Sequence, residues 1–411
     1  MRFLFVHQNF PGQFKHVAAA LAARGHEVHA LGVNKPAEPV PGVRHALYRE
    51  PAVPPMDVTT PMAAAMAELY SKVARGEAAA RAMLAVQKSG FEPDVVVIHP
   101  GWGEAMFAKD IFPHARLITH AEYFYGGKDG DIAFDPEFSK PSIGGMQRVR
   151  IKNTHLLHAL NACDAALTPT QYQKAQHPGW ALDKIRVIHE GIDTRRFKPD
   201  ANASVQLKSA GLTLRPGDEI ITFAVRQLEP YRGYHIFMRA LPLLQKLRPN
   251  ARVIIVGGDG NSYGAAPPAG KTWKDIFLSE VAAQLDMSRI HFVGRVPHAV
   301  LTQLMQVSAV HVYLTYPFVL SWSMLEAMSI GCLIVASDTA PVREVIEHGR
   351  NGLLTDFFDV EKLAHATADA LARREELAPL RAAARETIVK GYDLQDYCLP
   401  ATLALMEEGW A

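Results

Sequence analysis

Short, predominantly apolar runs recur along this chain, each followed by a loop bearing glycine, proline or polar residues and then by a stretch of helical spacing. Residues 3–6, 28–33, 94–98, 116–119, 165–167 and 185–188 are such runs in the first half; 220–225, 253–256, 290–293, 310–314 and 333–336 are the runs of the second. An uninterrupted apolar run suits a strand whose sheet is covered by helices on both faces, so the pattern predicts parallel α/β sheets. At 411 residues the chain exceeds one ordinary core, and two doubly wound, Rossmann-like domains are expected. The expected division is residues 1–200 and 201–392, with a terminal helix near 393–411 packing back on the first domain. The polar stretch 200–218 reads as the connection. Such sheets bind ligands beyond the carboxyl ends of their strands, which directs attention to a cleft between the two.

Composition narrows the function classes. A formal net charge of +1 and the lack of a basic stripe with interleaved aromatics argue against nucleic acid as a partner. Cys163, Cys332 and Cys398 are widely spaced, which fits neither a disulfide framework nor a zinc site and suits a reducing cytoplasm. The apolar run at the N-terminus is too short for a signal-peptide core, and no run reaches the length of a membrane helix. Residues 61–88 are alanine-rich and helical in pattern, with Lys72, Arg75, Arg81 and Lys88 read as a solvated face. That face leaves peripheral contact with the inner side of a membrane open.

Three loop motifs follow predicted strands in the second half. The first, Val225-Arg226-Gln227-Leu228-Glu229-Pro230-Tyr231-Arg232-Gly233, sets Arg226 and Arg232 six apart, where planar guanidiniums can converge on one diphosphate. Two surface arginines in a turn would read the same way. The second, Val256-Gly257-Gly258-Asp259-Gly260, admits close backbone approach to a ligand or a plain tight turn. The third runs from Tyr316 through Phe318, Val319, Leu320 and Ser321 to Glu326, and opens a helix whose first N–H groups suit an anion. Glu326 has two readings at this level: a hydrogen-bond acceptor for a ribose diol, or the far half of a Ser323–Glu326 capping box.

Taken in order, these motifs resemble those of the retaining family-4 glycosyltransferases of GT-B fold. Arg226 matches the arginine of the family's Gly-Arg-Leu-x-x-x-Lys-Gly loop, and Arg232 stands at its lysine. Glu326-Ala327-Met328-Ser329-Ile330-Gly331 matches the second glutamate of Glu-x7-Glu and its helix. Residues 185–197 resemble the inter-domain signature, and Phe292-Val293-Gly294-Arg295-Val296 the loop near the nucleotide base. The resemblance spans nearly the whole chain. It implies a metal-independent transfer, with retention, from a nucleotide-diphosphate-sugar donor held by the second domain, a UDP-sugar being favoured over a GDP-sugar. Donor contacts are expected from Gly12, Gln13, Arg226, Arg232, Gly258, Arg295, Val296, Phe318, Val319, Leu320, Ser321 and Glu326. No cofactor is implied.

The first domain is then expected to hold a carbohydrate, lipid-linked or small-molecule acceptor. His99, Trp102 and Glu104 follow the run 94–98 and offer polar groups beside an aromatic ring. His120 matches a histidine that family members often carry near the reactive sugar carbon, and by alternation Glu122 shares its face. Two departures stand out. Phe318 occupies the position of the first glutamate of Glu-x7-Glu, and Glu190 replaces the usual asparagine of the inter-domain signature. The first motivates one rival reading, a catalytically silent nucleotide-sugar-binding protein; a nucleotide-sugar epimerase of the same fold is the other. Asp129 and Asp131, with Asp135 and Glu137, invite a cation; their place in the first half, away from the donor motifs, argues against one.

Overall fold

The computed structural model describes residues 1–56, 58–126, 130–207 and 211–409. It comprises two compact units, one of Met1–Glu190 with Cys398–Ala411 and one of Gly191–Tyr397. The first is built on a seven-stranded sheet of β1 (Arg2–Val6), β2 (Glu27–Gly32), β3 (Val43–Leu47), β4 (Val95–Ile98), β5 (Arg116–His120), β6 (Ala165–Thr168) and β7 (Ile185–Val187), in the order β3-β2-β1-β4-β5-β6-β7. Every adjacent pair is parallel.

Alternation along β1 shows why its residues are apolar throughout. Phe3 and Phe5 enter one core cluster with Phe14, Leu21, Leu403 and Met406, whereas Leu4 and Val6 enter another with Met83, Phe112 and Leu160. Both faces are therefore buried, and every side chain of the strand gains from leaving water. One of the covering helices is Pro61–Lys88, which starts at Thr60, whose side chain accepts from the Ala63 N–H at 3.1 Å, and places proline at its first position. Its cations are not one solvated face. Arg75 is only 11% exposed in its side chain and turns inward to Gln8 and Glu50, while Arg81 stays outside beside Glu77.

The chain returns to this unit at its end. Helix Leu399–Glu407 lays Leu403, Leu405 and Met406 into the same cluster as Phe5. Glu407 pairs with Arg24 and His26, and Glu408 with Arg116 and Arg186. β3, which the apolar pattern did not announce, is an edge strand whose residues are mostly exposed, so it needs no apolar run.

The second unit repeats the design with β10 (Ile220–Gln227), β11 (Arg252–Gly258), β12 (Ile290–Gly294), β13 (Val310–Tyr313), β14 (Ile334–Ser337) and β15 (Leu353–Thr355), ordered β12-β11-β10-β13-β14-β15 and all parallel. The stretch 200–218 is no connection between units. It carries β8 (Val205–Leu207) and β9 (Leu212–Leu214), an antiparallel pair whose Val205, Leu207 and Leu214 join the core of the second unit. No helix among the described residues is long and apolar enough to cross a membrane.

Candidate functional site

In the first unit the loops after β1, β4 and β5 bring imidazoles and carboxylates together at the carboxyl ends of the strands. The backbone N–H of Asn9 donates to His7 Nδ1 at 2.9 Å, which leaves Nε2 as the N–H that meets Gln13 Oε1 at 3.0 Å. Gln13 Nε2 then donates to Glu122 Oε1 at 3.0 Å. His99 repeats the arrangement: its Nδ1 accepts from the Gly101 N–H at 3.2 Å, and its Nε2 faces Glu122 Oε2 at 3.6 Å, beyond hydrogen-bond length. Both imidazoles are therefore set as neutral donors. Burial, with His99 nearby, lowers His7 to about 3, and burial lowers His99 as well.

Glu122 is the member of this group that reaches solvent, with 34% of its side chain exposed. Desolvation alone would raise its carboxyl, but His99, His120 and the Gln13 amide overcome that and hold it at about 2. His120, at the end of β5, is fully enclosed and bonds Glu190 Oε1 through Nε2 at 3.0 Å. The rings of His99 and His120 stack at 5.4 Å, and Trp102 lies 4.6 Å from His99 and 5.0 Å from His7. Gly12 has φ +45°, and a Cβ on it would meet the His7 ring at 2.6 Å, so only glycine lets the loop close over that histidine.

Glu104 has other company. It is fully buried, accepts from Tyr48 OH at 3.2 Å and has Arg75 and Lys72 as its nearby cations. Its second oxygen has no hydrogen-bond partner among the described residues, and burial pushes its carboxyl up to about 7. Asp131 is also buried and accepts from Tyr123 OH at 3.2 Å; Asp129 lies outside the described residues.

In the second unit the two arginines of the first motif part company. Arg232 is buried, and its Nη1 donates to Thr315 Oγ1 at 2.8 Å, to the Val319 carbonyl at 3.0 Å and to Tyr313 OH at 3.3 Å. It thereby fastens the loop after β13. Arg226 is exposed and has no hydrogen bond or ion pair among the described residues. Arg295 is exposed as well and approaches Gly258 so closely that a Cβ there would lie 2.7 Å from its Nε. Val296 is partly buried against the core.

Sequence reasoning missed the groups that hold the glycine loop. Glu229 Oε2 accepts from the Ser262 and Tyr263 N–H groups at 2.9 and 3.2 Å, and Gln227 Oε1 accepts from the Gly260 N–H at 3.1 Å. Both side chains are buried, and two polar residues flanking an apolar Leu228 were the available sign. In the third motif Phe318 is buried, with Tyr231 and Tyr263 rings at 5.5 and 5.0 Å, and Leu320 joins the core. Neither side chain lies open to a ligand.

The capping-box reading of Glu326 fails. Helix Trp322–Ile330 is capped by Ser321, whose Oγ accepts from the Ser323 N–H at 3.3 Å. Glu326 instead faces His298 Nε2, 3.0 Å from each carboxylate oxygen.

The family model for "Glycosyl transferase family 4 group" matches residues 24–197, and that for "Glycosyl transferases group 1" matches residues 209–387. A D-inositol 3-phosphate glycosyltransferase of Rhodococcus jostii (strain RHA1) is 26% identical over 62% of this chain and 52% of its own length. A GDP-mannose-dependent alpha-(1-6)-phosphatidylinositol monomannoside mannosyltransferase of Mycobacterium tuberculosis is 24% identical over 54% of this chain and 55% of its own. The chain thus spans about half the length of these two relatives. Among solved structures, Anabaena Alr3699/HepE in complex with UDP and glucose superposes with a TM-score of 0.64 at 17% identity, over 98% of this chain and 99% of that one. The sucrose-phosphate synthase (tll1590) of Thermosynechococcus elongatus gives 0.72 at 17%, over 98% of each. These likenesses establish the fold, two Rossmann-like domains of GT-B type.

Proposed function

We propose that this chain, which belongs to the family-4 glycosyltransferases of GT-B fold, moves a sugar from a nucleotide-diphosphate donor on its second unit to an acceptor hydroxyl on its first. The observation that carries the reading is Arg226: a guanidinium at the end of β10, exposed and without a protein partner among the described residues. Its neighbour in sequence, Arg232, is committed to holding a loop. In this reading Arg226, with Arg295, meets the diphosphate, and Arg232 shapes the wall against which it rests. Fixed positive charge that attracts the leaving diphosphate more strongly than the intact donor lowers the barrier. These guanidiniums supply the charge that a metal would otherwise bring, which supports a metal-independent reaction.

Glu122 orients rather than deprotonates. A carboxylate held at about 2 is too weak a base to draw a proton from a hydroxyl, but it accepts a hydrogen bond well. The departing phosphate is the stronger base and takes the proton on the face from which it leaves, which is the geometry of retention. His99 and Trp102 line the acceptor side. Phe318, buried where the family has glutamate, leaves contact with the transferred sugar to backbone groups of the loop that Arg232 fastens.

UDP-sugars are the preferred donors, a choice supported by the UDP bound in the HepE structures. The acceptor is a carbohydrate, lipid-linked or small-molecule hydroxyl, and the protein works in the cytoplasm, where the inner face of the membrane supplies any lipid-linked acceptor. A panel of UDP- and GDP-sugars tests the reading by thermal shift followed by donor turnover. A bound donor raises the melting temperature with the logarithm of its concentration. Arg226→Ala is expected to abolish that shift and to lower turnover on the order of 100-fold. Unchanged turnover in the variant overturns the assignment.

A further inference from the structure

Glu190 is where this chain leaves its family, whose signature has asparagine at that position. Its side chain is 9% exposed, with Oε1 at 3.0 Å from His120 Nε2 and Oε2 at 3.7 Å from His189 Nε2. His120 is 1% exposed. A lone carboxylate or a lone imidazolium so deeply placed is strongly disfavoured, whereas the two in contact compensate one another.

We propose that Glu190 is a positioning residue that keeps His120 an imidazolium, so that this chain carries a cationic ring, paired with a carboxylate, at the end of β5 where asparagine would leave a neutral one. The inference rests on the reading of His120 as lying beside the reacting sugar. The titratable groups around His120 come from four segments: Glu190 and His189 after β7, Glu122 after β5, His99 after β4 and His7 after β1. The two carboxylates favour its charged form. His7 and His99 accept backbone N–H groups at Nδ1 and remain neutral, so they add no competing charge. Burial lowers His189, whose Nε2 lies farther from Glu190 than that of His120.

Directions agree with this division. Burial pulls His120 down, but the bond to Glu190 and the charges of Glu190 and Glu122 outweigh it, and the imidazole lies above its ordinary value. Burial likewise opposes ionisation of Glu190, and its bond to His120 overcomes it. A buried cation close to the breaking sugar–phosphate bond gains attraction as the phosphate leaves, which favours the transition state over the bound donor. It also sets an alkaline limit to turnover, reached when His120 loses its proton.

The full chain, labelled with 15N in histidine only, tests this directly by long-range 1H–15N spectra between about pH 5 and about pH 9, with His120 assigned by its loss in His120→Gln. Both ring nitrogens of His120 are expected to stay protonated beyond the ordinary imidazole range, because the Glu190 contact favours the charged ring. Glu190→Asn and Glu190→Gln are expected to return its titration to about 6.5 or below. With a nucleotide-sugar that the enzyme turns over, the alkaline limb of kcat/KM should fall by about one pH unit or more in Glu190→Asn, with donor KM little changed. A neutral His120 at pH 7 in the native chain overturns the proposal, and so does a His120 that stays cationic in Glu190→Asn. If neither variant folds, the native spectra decide alone. Absence of turnover with every donor counts against the glycosyltransferase reading, while the spectra still decide the Glu190–His120 pair.

Discussion

The two units share a parallel sheet with loops at the carboxyl ends of its strands, yet they equip those loops with opposite chemistry. In the first, Gln13 links His7 to Glu122, His120 bonds Glu190 and His99 faces Glu122, and their protonation states are set by that mutual arrangement. In the second, the candidate charges are two guanidiniums, Arg232 fastened within the loop and Arg226 without a hydrogen bond or ion pair among the described residues. The fold therefore supplies the place, and each set of loops decides whether the chemistry there responds to pH.

The largest test of this contrast is Arg232→Ala. It removes the donor shared by Thr315, Val319 and Tyr313 from a buried position, and should cost about 3 kcal/mol of stability by urea denaturation. A loss no larger than that of a surface residue would remove Arg232 from its role as a fastener.

Glu104→Gln sharpens the pH side of the comparison. The folded-state carboxyl lies at about 7, above its unfolded value of 4.5, so the folded chain binds the extra proton between those limits. Its contribution to stability is present below about pH 4.5 and lost as pH rises through about 7. Replacing it should flatten the fall in melting temperature across that window and stabilise the chain at pH 8 by about 2 kcal/mol. An unaltered slope would place the pH response elsewhere.

The smallest expected effect is on stability in Arg226→Ala, within about 0.5 kcal/mol of the native chain because that exposed side chain makes no hydrogen bond or ion pair among the described residues. Set beside its loss of donor turnover, this separates a working cation from a structural one. A large destabilisation would show that Arg226, like its neighbour, is part of the scaffold.

Much of the fold was legible in advance because β1, β4, β10, β11, β13 and β14 are buried on both sides and must read as apolar runs. The edge strands β3 and β15 escaped notice for the complementary reason: most of their residues are partly or fully open to water. In the sites, His120 and Arg226 were visible as polar residues at strand ends. The roles of His7, Gln227, Glu229 and His298 were not, since a buried polar side chain announces itself only through its partner.

Sequence by itself determined the two parallel sheets and the family, because a strand's apolar run and a loop's motif are properties of neighbours along the chain. Tertiary structure decided which groups are free to act. Gln13 reaches Glu122 across 109 positions and Arg232 reaches Val319 across 87. A hydrogen bond is a matter of distance and angle in space, and only folding fixes those between residues so far apart in the chain.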